Sequence, residues 1–98
     1  MGAKSVVFHP EALQEAEAAT VWYARRSPRA AEEYLHELER AIDEIVSAPG
    51  RWPTFDLETR RILLRRFPYQ VVYRETSQVI EVIAVAHGRR RPGYWRGR

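Results

Sequence analysis

The most regular pattern of apolar and polar residues in the chain lies between residues 28 and 48. Apolar side chains recur there every three or four residues, and charged residues fall on the opposite side of the helical projection. Ser27 is a good N-cap, Pro28 suits the first helical position, and Ala48-Pro49-Gly50 ends the pattern. The segment predicts an amphipathic helix whose apolar face comprises Ala31, Tyr34, Leu35, Leu38, Ala41, Ile42, Ile45 and Val46, and whose polar face comprises Glu32, Glu33, Glu37, Glu39 and Arg40.

A preceding helix is predicted from Pro10 to about Arg26. Proline suits the first helical position, and positive charge at the last residues of a helix is favourable. Almost no loop separates this helix from the one that begins at Pro28, so the two are expected to fold back on each other as a hairpin. The narrow apolar stripe of the first helix comprises Leu13, Ala16, Thr20 and Tyr23.

Four short segments rich in β-branched and aromatic residues predict strands at residues 5–9, 61–65, 69–75 and 79–87. Short links join the last three segments, so antiparallel hairpins are expected there. Residues 51–59 show no sustained period and predict a loop pinned by Trp52 and Phe55.

The order β-αα-βββ predicts one α+β domain over residues 1–98, with the helical hairpin packed on one face of a twisted antiparallel sheet. The other sheet face is then free to present polar side chains. Because arginines 60, 61, 65, 66 and 74 and Gln70 fall on two neighbouring strands, we expect an open electropositive surface there. The alternative is that these arginines are solvated and protect strand edges against aggregation.

The formal net charge of +3 is divided unevenly along the chain. Residues 1–58 hold 6 basic and 11 acidic side chains, a net charge of −5, whereas residues 59–98 hold 10 basic and 2 acidic side chains, a net charge of +8. The cationic half indicates an anionic partner, either nucleic acid or an acidic protein segment. Without cysteine or a long apolar run, a soluble cytoplasmic protein with no membrane partner is expected.

Two stretches carry a family resemblance, LLRRFPYQVVYRE at residues 63–75 and IEVIAVAHGRRRPGYW at residues 80–95. With the helical pair FHPEALQEAEAATVWYARRSPRAAEEYLHELERAIDEI before them, they make the chain resemble the RelE/ParE superfamily of type II toxins, also called plasmid stabilisation proteins. The resemblance covers nearly the whole chain. It implies a small basic toxin that a cognate antitoxin protein keeps inactive.

One activity implied by the resemblance is that of a RelE-like, ribosome-dependent endoribonuclease that cleaves mRNA. Metal-independent RNA cleavage needs a base, a cation beside the phosphate and an acid for the leaving group. Histidine side chains suit general acid–base catalysis, arginines suit phosphate, and aromatic rings stack unpaired bases. The candidate catalytic residues are therefore His87, Arg65, Arg90 and Tyr94.

Two positions depart from the pattern of those ribonucleases. Gln70 stands where an arginine that contacts phosphate follows the tyrosine of the third strand, and Leu63 stands where they carry a lysine. The departures favour the other implied activity, a ParE-like toxin that poisons DNA gyrase by association. The candidate residues for contact with nucleic acid or another target are Arg61, Arg65, Arg66, Arg74, Arg89, Arg90, Arg91 and Trp95.

A third possibility is a non-toxic basic domain that binds nucleic acid through phosphate contacts. Trp95 lies beyond the last strand, and it either folds back onto the body or anchors a partner. His9, His36 and His87 lie in unrelated settings, so no metal site is expected, and no cofactor is implied.

Overall fold

The computed structural model describes residues 4–56 and 58–98. The order β-αα-βββ and the α+β class are confirmed, and the loop at residues 51–59 is confirmed for its described residues. Residues 1–3 and residue 57, which belong to the predicted domain, lie outside the described residues. The elements are β1 (Ser5–Phe8), α1 (Pro10–Arg26), α2 (Pro28–Ser47), β2 (Arg60–Leu63), β3 (Tyr69–Glu75) and β4 (Val79–His87).

One serine both ends α1 and begins α2. The backbone N–H of Ser27 donates to the carbonyl of Tyr23 at 2.8 Å, and its hydroxyl accepts from the N–H of Ala30 at 3.2 Å. The first helix is capped by His9, whose Nδ1 accepts from the N–H of Glu11 at 3.1 Å. The predicted hairpin follows, because a single extended residue reverses the direction of the chain.

The four strands lie in the order β1-β4-β3-β2, and the sheet is mixed. Strands β2, β3 and β4 pair antiparallel as predicted, whereas β1 is parallel to β4, with Ser5 opposite Val79 and Phe8 opposite Val82. The prediction of an antiparallel sheet is therefore wrong for this pair. A short turn forces neighbouring strands to be antiparallel, but no turn joins β1 to β4, and the helical hairpin sets their relative direction.

The main core lies between the helices and one sheet face. Helix α1 approaches β4 through small side chains at Ala12, Ala16 and Ala19, and α2 contributes larger ones such as Tyr34 and Ile45. The predicted α1 stripe is wrong at Leu13, which is 48% exposed. The close approach of α1 to the sheet selects the neighbouring alanine stripe instead, because alanines let a helix lie near a strand.

The opposite sheet face is partly covered, not open as expected. Val72 and Ile83 are buried there beneath Trp95, and Phe55 and Tyr94 pack against the same cluster. The chain after β4 therefore folds back across the sheet and forms a second, smaller apolar cluster. Within the described residues, no helix is long and apolar enough to span a membrane.

Candidate functional site

The segment after β4 is fastened to α1 by one carboxylate. Oε1 of Glu15 accepts from the Val85 N–H and from Arg98 Nη1, both at 3.0 Å. Oε2 accepts from the Tyr94 hydroxyl at 2.6 Å and from Arg98 Nη2 at 2.9 Å. Arg90 Nη1 lies 3.5 Å from the same oxygen. We call Glu15, Tyr94 and Arg98 the tail clasp, since they join α1, β4 and the C-terminal segment.

The tail clasp fixes the protonation states of its members. Burial alone raises the pKa of Glu15, but hydrogen bonds from Arg98, Tyr94 and the Val85 N–H outweigh it, so the pKa lies below its ordinary value. Burial, and then the hydrogen bond to Glu15, raise the pKa of Tyr94. Tyr94 is therefore held as a neutral phenol that donates to an ionised carboxylate.

Three of the four candidate catalytic residues border one groove, and the fourth does not. His87, Arg90 and Tyr94 line a cavity of about 420 Å³ beside α1, whereas Arg65 lines a different cavity beside α2. The Tyr94 hydroxyl is engaged by Glu15, and the Arg90 guanidinium lies over the Tyr94 ring at 3.7 Å from its centroid. The residues that were expected to cleave RNA thus stabilise the tail clasp or lie apart from it.

His87 ends β4 and lines this groove. Its Nδ1 accepts from the Arg89 N–H at 3.0 Å, and its ring meets the edge of Tyr69 with 5.0 Å between centroids. The accepted hydrogen bond places the proton of the neutral ring on Nε2. These contacts are those of a strand-end histidine that shapes the following turn.

Several arginines of the expected open surface are paired within the chain. Arg66 bonds Glu37, Arg74 bonds Glu81 at 2.7 Å, and Arg61 donates to Gln70 at 3.0 Å. The expectation of one continuous electropositive face is therefore wrong. The partners are Glu37 on α2 and the side chains of Gln70 and Glu81 on neighbouring strands, so tertiary contacts engage these guanidinium groups.

Other cations remain available. Arg65, Arg89 and Arg91 are exposed, and within the described part of the chain their guanidinium groups have no ion-pair or hydrogen-bond partner. Trp95 is only 2% exposed, with its ring 5.7 Å from that of Phe55 and 5.3 Å from that of Tyr94. Trp95 therefore folds back onto the body and is not accessible to a partner in this conformation.

The sequence did not indicate the roles of two glutamates. Glu37, predicted on the polar face, is 5% exposed, and its Oε1 accepts from the N–H groups of Arg65 and Arg66 at 2.8 and 3.2 Å. It holds the turn between β2 and β3 against α2. The sequence did contain a signal that Glu15 faces the body of the protein. Glu15 lies three residues after Ala12 and four before Ala19, so it falls on the same face of α1 as these alanines.

These two carboxylates predict acid sensitivity. Burial raises the pKa of Glu37, but hydrogen bonds from Arg66 and Arg65 outweigh it, so its pKa, like that of Glu15, lies below the ordinary 4.5. The stability that each contributes is complete above about pH 4.5 and is lost as the pH falls through the lowered folded-state pKa. The melting temperature should therefore fall steeply below about pH 4.5.

The check is a melting-temperature series from neutral to acid pH. Glu15→Gln and Glu37→Gln should each flatten the acid limb, while Glu17→Gln, at an exposed α1 position, should keep the unsubstituted profile. An unchanged acid limb in both buried-site variants would contradict the assignment.

The chain thus combines two helices on a four-stranded mixed sheet with a basic C-terminal segment that folds across one sheet face. The family model of the ParE toxin of the type II toxin-antitoxin system parDE matches residues 6–92. The chain belongs to this ParE toxin family.

Individual relatives agree with this family. Toxin ParE2 of Mycobacterium tuberculosis, in strains CDC 1551 / Oshkosh and ATCC 25618 / H37Rv, is 32% identical over 72 residues, which cover 72% of this chain and 69% of the relative. A solved structure described as the chromosomal ParDE TA system from P. aeruginosa superposes with a TM-score of 0.74 at 15% identity. The superposition covers 87% of this chain and 96% of that one, and it shows the shared fold.

Proposed function

We propose that this toxin acts by binding DNA gyrase, and that a cognate antitoxin protein neutralises it. The observation that carries the proposal is the engagement of Tyr94 and Arg90 by Glu15, which leaves no assembled acid, base and phosphate-binding cation among the described residues. Membership of the ParE family supports a toxin that is paired with an antitoxin. A toxin that inhibits its target by binding needs an accessible surface but no catalytic group.

Geometry argues against the ribonuclease alternative. A general acid must release its proton to the leaving group, yet the Tyr94 hydroxyl donates to Glu15 at 2.6 Å and its pKa is raised. Gln70, at the position where RelE-like enzymes carry an arginine, accepts a hydrogen bond from Arg61. Arg65 lies in another groove. The four candidate catalytic residues therefore do not all line one groove.

We infer that Arg89 and Arg91 contribute to target contact. Both are exposed in the turn after β4, and neither guanidinium has a partner among residues 4–56 and 58–98. Arg61, Arg66 and Arg74 are engaged within the chain, so binding through them would first break internal contacts. Free cations at an exposed turn increase the rate of encounter with an acidic protein surface or with DNA.

The direct test is plasmid supercoiling by purified gyrase in the presence of the purified toxin. We expect inhibition, and growth arrest in cells should come with DNA-damage signalling and intact transcripts. His87→Asn should inhibit about as strongly as the unsubstituted protein, because an asparagine can still accept the hydrogen bond from the Arg89 N–H but cannot serve as the general base that RNA cleavage needs. Cleaved ribosome-bound messages with normal supercoiling, seen by primer extension, would contradict the proposal and support the RelE-like alternative.

The contact residues can be tested in the same assay. The double variant Arg89→Glu, Arg91→Glu should need at least about tenfold more protein for equal inhibition, because two attractive charges become repulsive. Arg25→Glu is the matched control, since Arg25 is an exposed α1 arginine without a described partner. Equal potency of the double variant and the control would remove this turn from the interface.

A further inference from the structure

The groove of about 420 Å³ beside α1 is lined mainly by apolar and aromatic side chains, and we call it the α1 groove. Helix α1 contributes Ala18, Ala19 and Trp22 to its lining, and the sheet contributes Tyr69 and Val85. Pockets that hold a small ligand typically have volumes of about 300–1,000 Å³. The α1 groove therefore has room for a large side chain of another protein.

The aromatic residues of the α1 groove hold one another in place. The ring of Trp22 meets that of Tyr23 edge to face, with 5.0 Å between centroids, and the Tyr23 ring lies 6.4 Å from that of Tyr69. The Tyr69 ring in turn lies 5.0 Å from that of His87. One row of rings thus runs from α1 to the end of β4. A groove whose walls are already fixed loses little conformational entropy when a partner binds.

Trp22 is the largest side chain that this row leaves accessible. It is 49% exposed, although the Arg26 guanidinium covers its ring at 3.5 Å from the centroid. Tryptophan is enriched among the few residues that dominate the binding energy of a protein interface. A half-exposed tryptophan with a fixed ring, at the border of an apolar groove, is therefore suited to contact an apolar side chain of a partner.

The charges near the α1 groove are arranged unevenly. Arg90 is the one arginine that lines it among the described residues, and its guanidinium is engaged by the Glu15 carboxylate and by the Tyr94 ring. The exposed arginines Arg89 and Arg91 lie next to it in sequence, in the turn after β4. An apolar groove without an unengaged cation in its described lining therefore adjoins a positively charged turn.

This arrangement favours a protein partner over a nucleic acid. A nucleotide in the groove would bring phosphate charge near the ionised carboxylate of Glu15, and no unengaged arginine in the described lining would offset it. An apolar side chain needs no charged partner, because its burial against the rings is favourable in itself. Acidic residues beside that side chain would complement Arg89 and Arg91.

We propose that a large apolar side chain on the surface of gyrase inserts into the α1 groove beside Trp22, and that acidic residues flanking it meet Arg89 and Arg91. This inference rests on the proposed function for the identity of the target. The apolar contact supplies most of the affinity, and the charges increase the rate of encounter and fix the orientation.

The first test removes the exposed ring. Trp22→Ala should need at least about tenfold more protein than the unsubstituted toxin for equal inhibition of supercoiling by gyrase, because it removes the central apolar contact. Leu13→Ala is the matched control, since Leu13 is 48% exposed on the same helix and does not line the groove. It should inhibit as strongly as the unsubstituted toxin. Equal potency of the two variants, each with a melting temperature near that of the unsubstituted toxin, would overturn the inference.

The second test fills the groove and leaves every ring in place. Ala18→Gln introduces a larger, uncharged side chain into the lining, and Ala24→Gln makes the same change at an exposed α1 position outside it. Glutamine is a good helix former, so neither change should disturb α1. Ala18→Gln should inhibit at least about fivefold more weakly than Ala24→Gln, because the incoming side chain must displace the amide. The inference is wrong if these two variants inhibit equally.

The third test separates the apolar contact from the charges by direct binding to gyrase at two salt concentrations. The double variant Arg89→Glu, Arg91→Glu should lose most of its binding defect at about 0.5 M salt, because salt screens exposed charges. The defect of Trp22→Ala should persist, since salt does not screen the burial of apolar surface. A Trp22→Ala defect that disappears with salt in the same way would contradict an apolar contact.

Other occupants of the α1 groove give different results. Weaker binding of Trp22→Ala to duplex DNA, to the antitoxin or to a second copy of the toxin, with unchanged binding to gyrase, would overturn the inference and assign the groove to that partner. If the toxin inhibits gyrase but all groove variants are as potent as their controls, only the groove is excluded and the proposed function stands. If the unsubstituted toxin does not bind gyrase, both proposals fall together.

Discussion

Replacing Glu15 with alanine is expected to lower the free energy of unfolding by about 3–5 kcal/mol. The substitution leaves Arg98, whose side chain is 10% exposed, without its principal partner, and it removes the acceptor of the Val85 N–H. An unpaired buried charge and a lost backbone hydrogen bond are each costly. Chemical denaturation of the two proteins, followed by circular dichroism, measures the difference.

Glu17→Ala is the control for this prediction, because Glu17 occupies the same helix on its exposed side. Its effect should stay within about 0.5 kcal/mol, as expected for a surface substitution. A loss smaller than about 1 kcal/mol in Glu15→Ala would mean that the tail clasp does not hold the C-terminal segment to the body. Hydrogen exchange at the Trp95 amide reports locally on release of the C-terminal segment, because release exposes this amide to solvent.

Replacing Trp95 with alanine is expected to cost about 3–5 kcal/mol, an effect of similar size with a different origin. The ring is 2% exposed and fills the space between Phe55, Tyr94 and the outer face of the sheet, so its removal leaves a cavity. Thermal and chemical unfolding of the purified variant measure the loss.

Two matched variants make the origin of this effect testable. Trp22→Ala removes the same side-chain type at a position that is 49% exposed, and it should cost much less. Trp95→Phe should cost below about 1.5 kcal/mol, because it retains most of the volume and removes a buried indole N–H that has no hydrogen-bond partner among residues 4–56 and 58–98. Equal losses in Trp95→Ala and Trp22→Ala would contradict a packing role.

Both residues lie in the part of the molecule that was hardest to predict. The sequence placed Trp95 either on the body or at a partner, and only the position of the second apolar cluster decides between them. Glu15 was not singled out, because a glutamate on a helix is most often solvated. Its role appears once α1, β4 and the C-terminal segment meet, and these lie far apart along the chain.

Local signals were sufficient for the elements. Ser27 and Pro28 mark the boundary between the helices in the sequence, because capping is a matter of adjacent residues. The broad apolar face of α2 was also predictable, although Leu35 is 38% exposed and Glu37 is buried. A helical projection ranks faces by polarity, but it does not show where a neighbouring turn presents N–H groups to a carboxylate.

The sequence by itself determined the α+β class, the order of the elements and the helical hairpin, because periodicity, caps and short links act over a few residues. The stretches at residues 63–75 and 80–95 also carried the resemblance to the family. Only the tertiary structure decided that β1 is parallel to β4, that the second sheet face is covered, and which arginines are free. Those properties depend on groups that meet across the fold. The sequence defines which residues are cationic, but tertiary packing determines which carboxylate lies nearest to each of them.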